Sequence, residues 1–363
     1  MKVRLICYED VHAWILGKFA LRMHDCLKRL GIESDIAKIP DNSAEINHHI
    51  IYGGYDGKKH AIDTLMITHI DNIDKLNLVK HQLKVASAGI CMSSETMEYL
   101  TKMGVEKGKL CYVNPAHDGV MPTKKIIIGL ACRVQEDGRK REYFLDNLAK
   151  VLNANYFKFK IMGDGWDRQV NNLRKSGFEV DYFDHFDYSE YIRFIPSLDY
   201  YLYMGVDEGQ MGLIDALAAG VKTIVTVQGY HLDAQNGIVH PFTSYEELES
   251  IFLLLEDEKE ALINSVSTWN WLDYTKKHVE IWHYLLDYKK DKSNFTDGLN
   301  SLLNSKKHDV SHDNSFVRAK TSELRKAKYL HFFRSKKRKS KEILKSQGFL
   351  GLISAIVNRI LRK

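Results

Sequence analysis

No apolar run in this sequence approaches the roughly 18 to 20 residues that cross a bilayer. The two best candidates, Ile126–Cys132 and Phe349–Val357, fall far short. The opening Met1-Lys2-Val3-Arg4-Leu5-Ile6-Cys7-Tyr8-Glu9 turns acidic before a signal-peptide core can form, so a cytoplasmic body is expected. Cysteine is scarce: Cys7, Cys26, Cys91, Cys111 and Cys132 are odd in number, scattered, and form no C-x-x-C pair. They read as reduced, buried small hydrophobes rather than metal or redox ligands. Five prolines and 23 glycines in 363 residues exclude a collagen-like chain, and 44% apolar content excludes a wholly disordered one. Acidic residues are what the C-terminal end lacks. From Ser305 to Lys363 there are 17 Lys and Arg against 4 Asp and Glu, which leaves 35 basic and 43 acidic residues in the rest. The formal total of +5 thus hides an acidic body and a strongly basic tail, a pattern that suits a polyanionic surface such as a membrane or a nucleic acid.

What is present is an alternation of strand-like and helix-like segments. Val3–Cys7, Ile50–Tyr52, Thr64–Thr68 and Gly89–Met92 read as strands, and Trp14–Leu30 reads as a helix stopped by Gly31. A second cycle follows the turn-rich Val113-Asn114-Pro115-Ala116-His117-Asp118-Gly119. Its strands are Lys125–Leu130, Phe157–Met162, Val180–Phe183, Tyr200–Met204 and Thr223–Val227, with helices at Tyr143–Leu152 and Leu213–Ala219. Two doubly wound α/β domains are expected, with ligands outside the carboxyl ends of their strands. Residues 250 to 288 read as helical, 289–319 as a linker and 320–363 as a basic helical tail.

The densest motif is Asp207-Glu208-Gly209-Gln210-Met211-Gly212-Leu213-Ile214-Asp215-Ala216-Leu217-Ala218-Ala219-Gly220. A glycine turn that leads into a helix offers backbone N–H groups and a positive dipole end to a diphosphate. Two further pieces accompany it: Ile128-Gly129-Leu130-Ala131-Cys132-Arg133 followed by Lys140, and Lys160-Ile161-Met162-Gly163-Asp164-Gly165. Together these resemble the nucleotide-sugar-dependent glycosyltransferases of the GT-B fold, specifically glycosyltransferase family 4. The likeness covers about residues 1 to 285, with an N-terminal domain at 1–120, a C-terminal nucleotide-sugar domain at 121–270 and a closing helix at 271–288.

The resemblance implies roles. The first acid, Asp207 with Glu208 as its rival, would bond the donor sugar's hydroxyls, and Asp215 would hold the ribose. Both family glutamates are aspartates here, so each reach is shorter by one methylene. Arg133 and Lys140 would neutralise the donor's phosphates, although the longer loop leaves Arg139 and Arg141 as alternatives to Lys140. Gly163, Asp164, Gly209, Gln210, Met211 and Gly212 would line the donor. In the first domain, Gly17 would let a phosphate or the acceptor approach the backbone, and His69 would meet a sugar hydroxyl. The Ser93 and Asn114-Pro115 signposts read as architectural. No D-x-D metal signature stands out, so neither metal nor cofactor is expected. Leaving-group charge would fall to Arg133, Lys140 and backbone dipoles in a retaining, front-face transfer.

The tail carries Lys336, Lys337, Arg338 and Lys339, then a helix with Phe349, Leu350, Ile353, Ile356, Val357 and Ile360 on one face. That combination suits an interfacial helix on an anionic leaflet better than nucleic acid, which is not expected as a partner. The implied protein is a peripheral enzyme of the cytoplasmic membrane face. It would use a nucleotide-diphosphate sugar and a lipid-linked or surface-polysaccharide acceptor. A GT-B sugar-nucleotide epimerase or hydrolase is the second reading. A degenerate glycan-assembly or nucleic-acid-binding subunit is the third.

Overall fold

The short apolar run at the start of the chain forms strand β1 (Lys2–Ile6), and the amphipathic segment after it forms α1 (Ile15–Arg29). Phe19, Ala20, Met23, Cys26 and Leu27 recur at helical spacing and are the buried stripe of α1; Gly31, at φ 72°, turns the chain out of it. The computed structural model describes residues 1–290. The first unit continues with β2 (Glu33–Ala37), β3 (Ile46–His49), β4 (Ile62–Ile67), α2 (Ile73–Gln82), β5 (Ala88–Cys91), α3 (Ser94–Lys102) and β6 (Leu110–Tyr112). Its six strands are parallel, in the order β2-β1-β3-β4-β5-β6.

The second unit is Val120–Ser267. It holds β7 (Ile126–Ala131), α4 (Tyr143–Val151), β8 (Phe157–Met162), α5 (Asp167–Lys175), β9 (Glu179–Phe183), α6 (Tyr188–Phe194), β10 (Tyr200–Tyr203), α7 (Met211–Ala218), β11 (Lys222–Thr226), β12 (His240–Phe242) and α8 (Tyr245–Asn264). Its strand order is β12-β11-β10-β7-β8-β9, again all parallel. That is the order of a dinucleotide-binding Rossmann sheet. Both faces are covered. Ile128 and Leu130 of β7 join a cluster with α4, α5 and α8, while Ile127 and Ala131 pack with Leu213 and Ala216 of α7. Two Rossmann-like units in succession are the architecture of the GT-B fold.

After Ser267 the chain returns to the first unit through α9 (Trp271–Lys290). Trp271, Tyr274, Ile281, Trp282 and Leu285 enter the same core as Phe19 and Met23 of α1. The helical stretch expected over 250–288 is therefore two helices, broken before Asn270, whose side chain accepts from the Asp273 N–H at 2.9 Å. The linker and tail from residue 291 on, including Lys336 to Lys339 and Phe349 to Ile360, lie outside the described residues.

One strand falls elsewhere than the sequence predicts. The expected Ile50–Tyr52 strand is β3 at Ile46–His49, and Tyr52–Gly54 is a single 3-10 turn. Asn47-His48-His49 carries no apolar signal, yet all three side chains are buried. Each side chain has a polar partner instead: Asn47 bonds the Asp41 backbone, His48 meets Thr64 through Nδ1 at 2.9 Å, and His49 meets Asp63 at 3.1 Å.

Candidate functional site

In the second unit the strand order reverses beside β7, which lies between β8 and β10. Ligands of such sheets sit outside the carboxyl ends of the strands at that switch. The loop leaving β7 is stapled in place there. Trp166 donates from Nε1 to the Cys132 carbonyl at 2.6 Å, and Val134 N–H donates to the Asp164 carbonyl at 2.9 Å. Gly163 holds φ 131°, and a Cβ on it would lie 2.2 Å from the Cys132 oxygen, so only glycine lets β7 and β8 end this close together.

A cavity of about 720 Å³ opens at this point. Seven residues singled out in the sequence line it: Arg133, Gly163, Asp164, Gln210, Met211, Gly212 and Asp215. Arg133 is exposed, and among the described residues no carboxylate pairs with it. Gln210 caps α7: its Oε1 accepts from Gly212 N–H, while its Nε2 donates to the Ala131 carbonyl at 2.5 Å and ties α7 to the end of β7. His231 supports the same turn. It sits between the Gln210 N–H at 3.0 Å and the Thr226 carbonyl at 3.1 Å, which makes Nε2 the acceptor and Nδ1 the protonated nitrogen. Part of the lining is aromatic. Phe186 and Tyr188 are 63% and 70% exposed, which leaves ring surface open to a ligand.

Six predicted residues among those described stand outside that lining, four of them in the second unit. Lys140 is buried, and its Nζ donates to Asp207 Oδ2 at 2.6 Å and to Tyr203 Oη at 2.7 Å. Tyr203 in turn donates to Asp207 Oδ1 at 2.5 Å, which also accepts from Gly209 N–H at 3.2 Å. Burial pushes the Asp207 carboxyl up, but the bonds from Lys140, Tyr203 and Gly209 outweigh it and hold the group below the usual carboxylate range. Glu208, the rival first acid, is exposed and makes its contact through its backbone carbonyl, which accepts from Tyr230 N–H at 3.1 Å. Of the three loop cations, Lys140 is the one that meets Asp207. Arg139 is exposed beside Asp137 at 3.6 Å, and Arg141 is spent on the carbonyls of Met204 and Thr243.

His69 and Gly17 belong to the first unit. His69 is 71% exposed at the end of β4, with Asp71 at 3.6 Å. Gly17 faces no open space: a Cβ there would lie 2.1 Å from the Val11 oxygen, so the missing side chain makes room for the loop before α1 rather than for a ligand. Three site residues have no counterpart in the sequence reading. Tyr191 donates to Asp215 Oδ2 at 2.6 Å, Tyr201 donates to Gln210 Oε1 at 2.5 Å, and Tyr203 bridges Lys140 and Asp207. The run Tyr200-Tyr201-Leu202-Tyr203 was the available signal, because tyrosines in a buried strand need partners for their hydroxyls. Among the described residues no group of three or more His, Cys, Asp or Glu is placed to hold a metal ion, and no helix is long and apolar enough to cross a membrane.

No protein-family model matches the chain, and no curated protein matches it in sequence. Solved structures match it in a comparison of structures. The apo form of the lipopolysaccharide outer core galactosyltransferase WaaB is 14% identical, covering 80% of this chain and 100% of its own, with a TM-score of 0.33. Sucrose-phosphate synthase from Thermosynechococcus elongatus is 13% identical over 79% of this chain and 99% of its own, with a TM-score of 0.34. Anabaena HepE in complex with UDP and glucose is 11% identical over 78% of this chain and 100% of its own, with a TM-score of 0.31.

Proposed function

We propose that the chain is a glycosyltransferase that binds a nucleotide-diphosphate sugar in the cavity of its second unit and transfers the sugar to a hydroxyl acceptor. The observation that carries this reading is the convergence, in one cavity at the switch of a Rossmann sheet, of Arg133, unpaired among the described residues, the first turn of α7 and the Asp215 carboxylate. Each matches a part of such a donor. Arg133 is a forked cation for the diphosphate, the α7 start is its dipole partner, and Asp215 accepts from the vicinal ribose hydroxyls. The exposed faces of Phe186 and Tyr188 suit a nucleobase. Lys140 and Asp207 then serve the sugar phosphate and the sugar hydroxyls, and His69 a further sugar hydroxyl. The transfer in this reading needs no metal and retains anomeric configuration. Arg133, Lys140 and backbone N–H groups meet the charge that develops on the leaving phosphate.

The acceptor in this proposal is a lipid-linked or surface glycan, reached from the cytoplasmic membrane face through residues 320–363. Calorimetry and sugar-release assays over UDP-, GDP-, dTDP- and CMP-sugars test the donor half, and binding to none of them would end it. Flotation with anionic vesicles, with and without residues 320–363, tests the membrane half. Equal recovery of the two chains would remove it.

A further inference from the structure

The Lys140–Asp207 pair has a third member that neither the motif pattern nor the proposed donor contacts require. Tyr203 ends β10 and is 1% exposed. Its ring lies 4.9 Å from Lys140 Nζ, and the His231 ring meets it edge-on at 5.5 Å. Room for its hydroxyl is kept by Gly205, where a Cβ would fall 2.3 Å from Tyr203 Oη. The hydroxyl closes a ring of hydrogen bonds. It accepts from Lys140 at 2.7 Å and donates to Asp207 Oδ1 at 2.5 Å, while Lys140 donates to Asp207 Oδ2 at 2.6 Å.

We propose that Tyr203 is a positioning residue that holds the Lys140 ammonium in place when the donor phosphate draws it away from Asp207. This rests on the glycosyltransferase reading above. Lysine is a point charge on a flexible four-carbon stem, so its contribution depends on what fixes it. In the structure two groups fix it, the Asp207 carboxylate and the Tyr203 oxygen. A donor that engages Asp207 through sugar hydroxyls loosens the first, and only the buried phenol remains. Tyr203 takes one of the three ammonium N–H groups and leaves two for phosphate oxygens. Its O–H goes on donating to Asp207 Oδ1, so the carboxylate keeps an anchor of its own while it turns to a ligand. Burial, and then the hydrogen bond to Asp207 and its charge, push the Tyr203 hydroxyl further from ionisation, which keeps it a neutral donor and acceptor.

The test is Tyr203→Phe, which removes the hydroxyl and keeps the ring. Donor affinity is read by calorimetry with the nucleotide sugar that wild type binds, and turnover with the same compound. Expected are an affinity within about threefold of wild type and a turnover lowered about 10- to 100-fold, the scale of a misplaced catalytic group. In a Lys140→Met background the same change should cost nothing further, because the two act as one unit. A packing role would instead lower the melting temperature and add its loss in full to that of Lys140→Met. Wild-type turnover in Tyr203→Phe, or full additivity with Lys140→Met, overturns the inference and leaves the glycosyltransferase reading standing. A wild-type protein that binds none of the four nucleotide-sugar classes overturns both.

Discussion

Tyr191 donates its phenolic proton to Asp215 Oδ2 across 2.6 Å, joining α6 to α7 at the wall of the cavity. Burial, then the bond and charge of Asp215, drive the Tyr191 hydroxyl away from ionisation, so the contact is a neutral donor to a carboxylate. It leaves Oδ1 as the oxygen free for a ligand and fixes the plane of the carboxylate. Tyr191→Phe releases that plane while keeping the ring tilted against Phe186 at 5.2 Å. The expected result is a nucleotide affinity weakened about 5- to 20-fold, from the loss of one charge-assisted bond that pre-orders the site. Turnover at saturating donor should change little. An affinity equal to wild type in isothermal titration would show that Asp215 does not need its tyrosine.

Arg133 is the reverse case, a cation in the cavity with no partner among the described residues. Its removal breaks nothing in the fold, so Arg133→Ala should change unfolding free energy by no more than about 0.5 kcal/mol. Transfer should fall by two or more orders of magnitude, because leaving-group charge then lacks its forked donor. Near-normal transfer by a well-folded Arg133→Ala protein would remove it from the site.

The two cases show how far the sequence was legible. Arg133, Gln210 and Asp215 were singled out by the resemblance, and the end of β7 and the start of α7 bring the three into one cavity. The second unit's strands were legible too, since β7 and β10 are continuous apolar or aromatic runs and β8 alternates Phe157, Phe159 and Ile161 with Lys158 and Lys160. Tyr191 and Tyr203 were not, because they reach their partners over 24 and 4 positions through folding rather than through periodicity. β3 was misplaced for a related reason. Its burial is bought with hydrogen bonds, and a search for apolar runs slides past it to Ile50.

That polar strand makes its own prediction. Asp63 is 1% exposed, and its two oxygens accept from different groups, Oδ1 from the His49 ring and Oδ2 from His60 N–H at 2.8 Å. Asp63→Ala orphans both donors, and His49 is fully buried. The expected cost is about 2 to 4 kcal/mol, read as a lowered midpoint in urea unfolding. Asp63→Asn should lose less, since an amide oxygen still serves one donor. Equal losses for the two variants would mean that cavity volume, not hydrogen bonding, sets the penalty.

The first unit should also weaken in mild acid, through His278 of α9 and His48 of β3, whose rings meet. His48 and His278 are both fully buried, with ring centroids 5.1 Å apart. Each ring has one satisfied nitrogen: His48 Nδ1 with Thr64 at 2.9 Å, and His278 Nδ1 with the Tyr274 carbonyl at 2.8 Å. Among the described residues neither Nε2, though buried, has a partner. Protonation there would place a charge among Tyr274 and Trp282 with nothing to receive it. Burial accordingly lowers His278 from 6.5 to about 4, and burial with the neighbouring His278 and His49 lowers His48 well below 6.5. Because the folded values lie below the unfolded one, the unfolded chain takes up more protons as pH falls. Stability is therefore full above about pH 6.5 and is lost on the way down through pH 4. For His278 alone the loss between pH 7.5 and 5 is about 2 kcal/mol. Urea unfolding at the two pH values should register it, and His278→Gln should flatten the difference by a similar amount. Carboxylates such as Asp207 contribute their own acid sensitivity, but their folded values lie low enough to act mainly below that window. An acid limb as steep in His278→Gln as in wild type would assign the pH dependence to groups other than this buried pair.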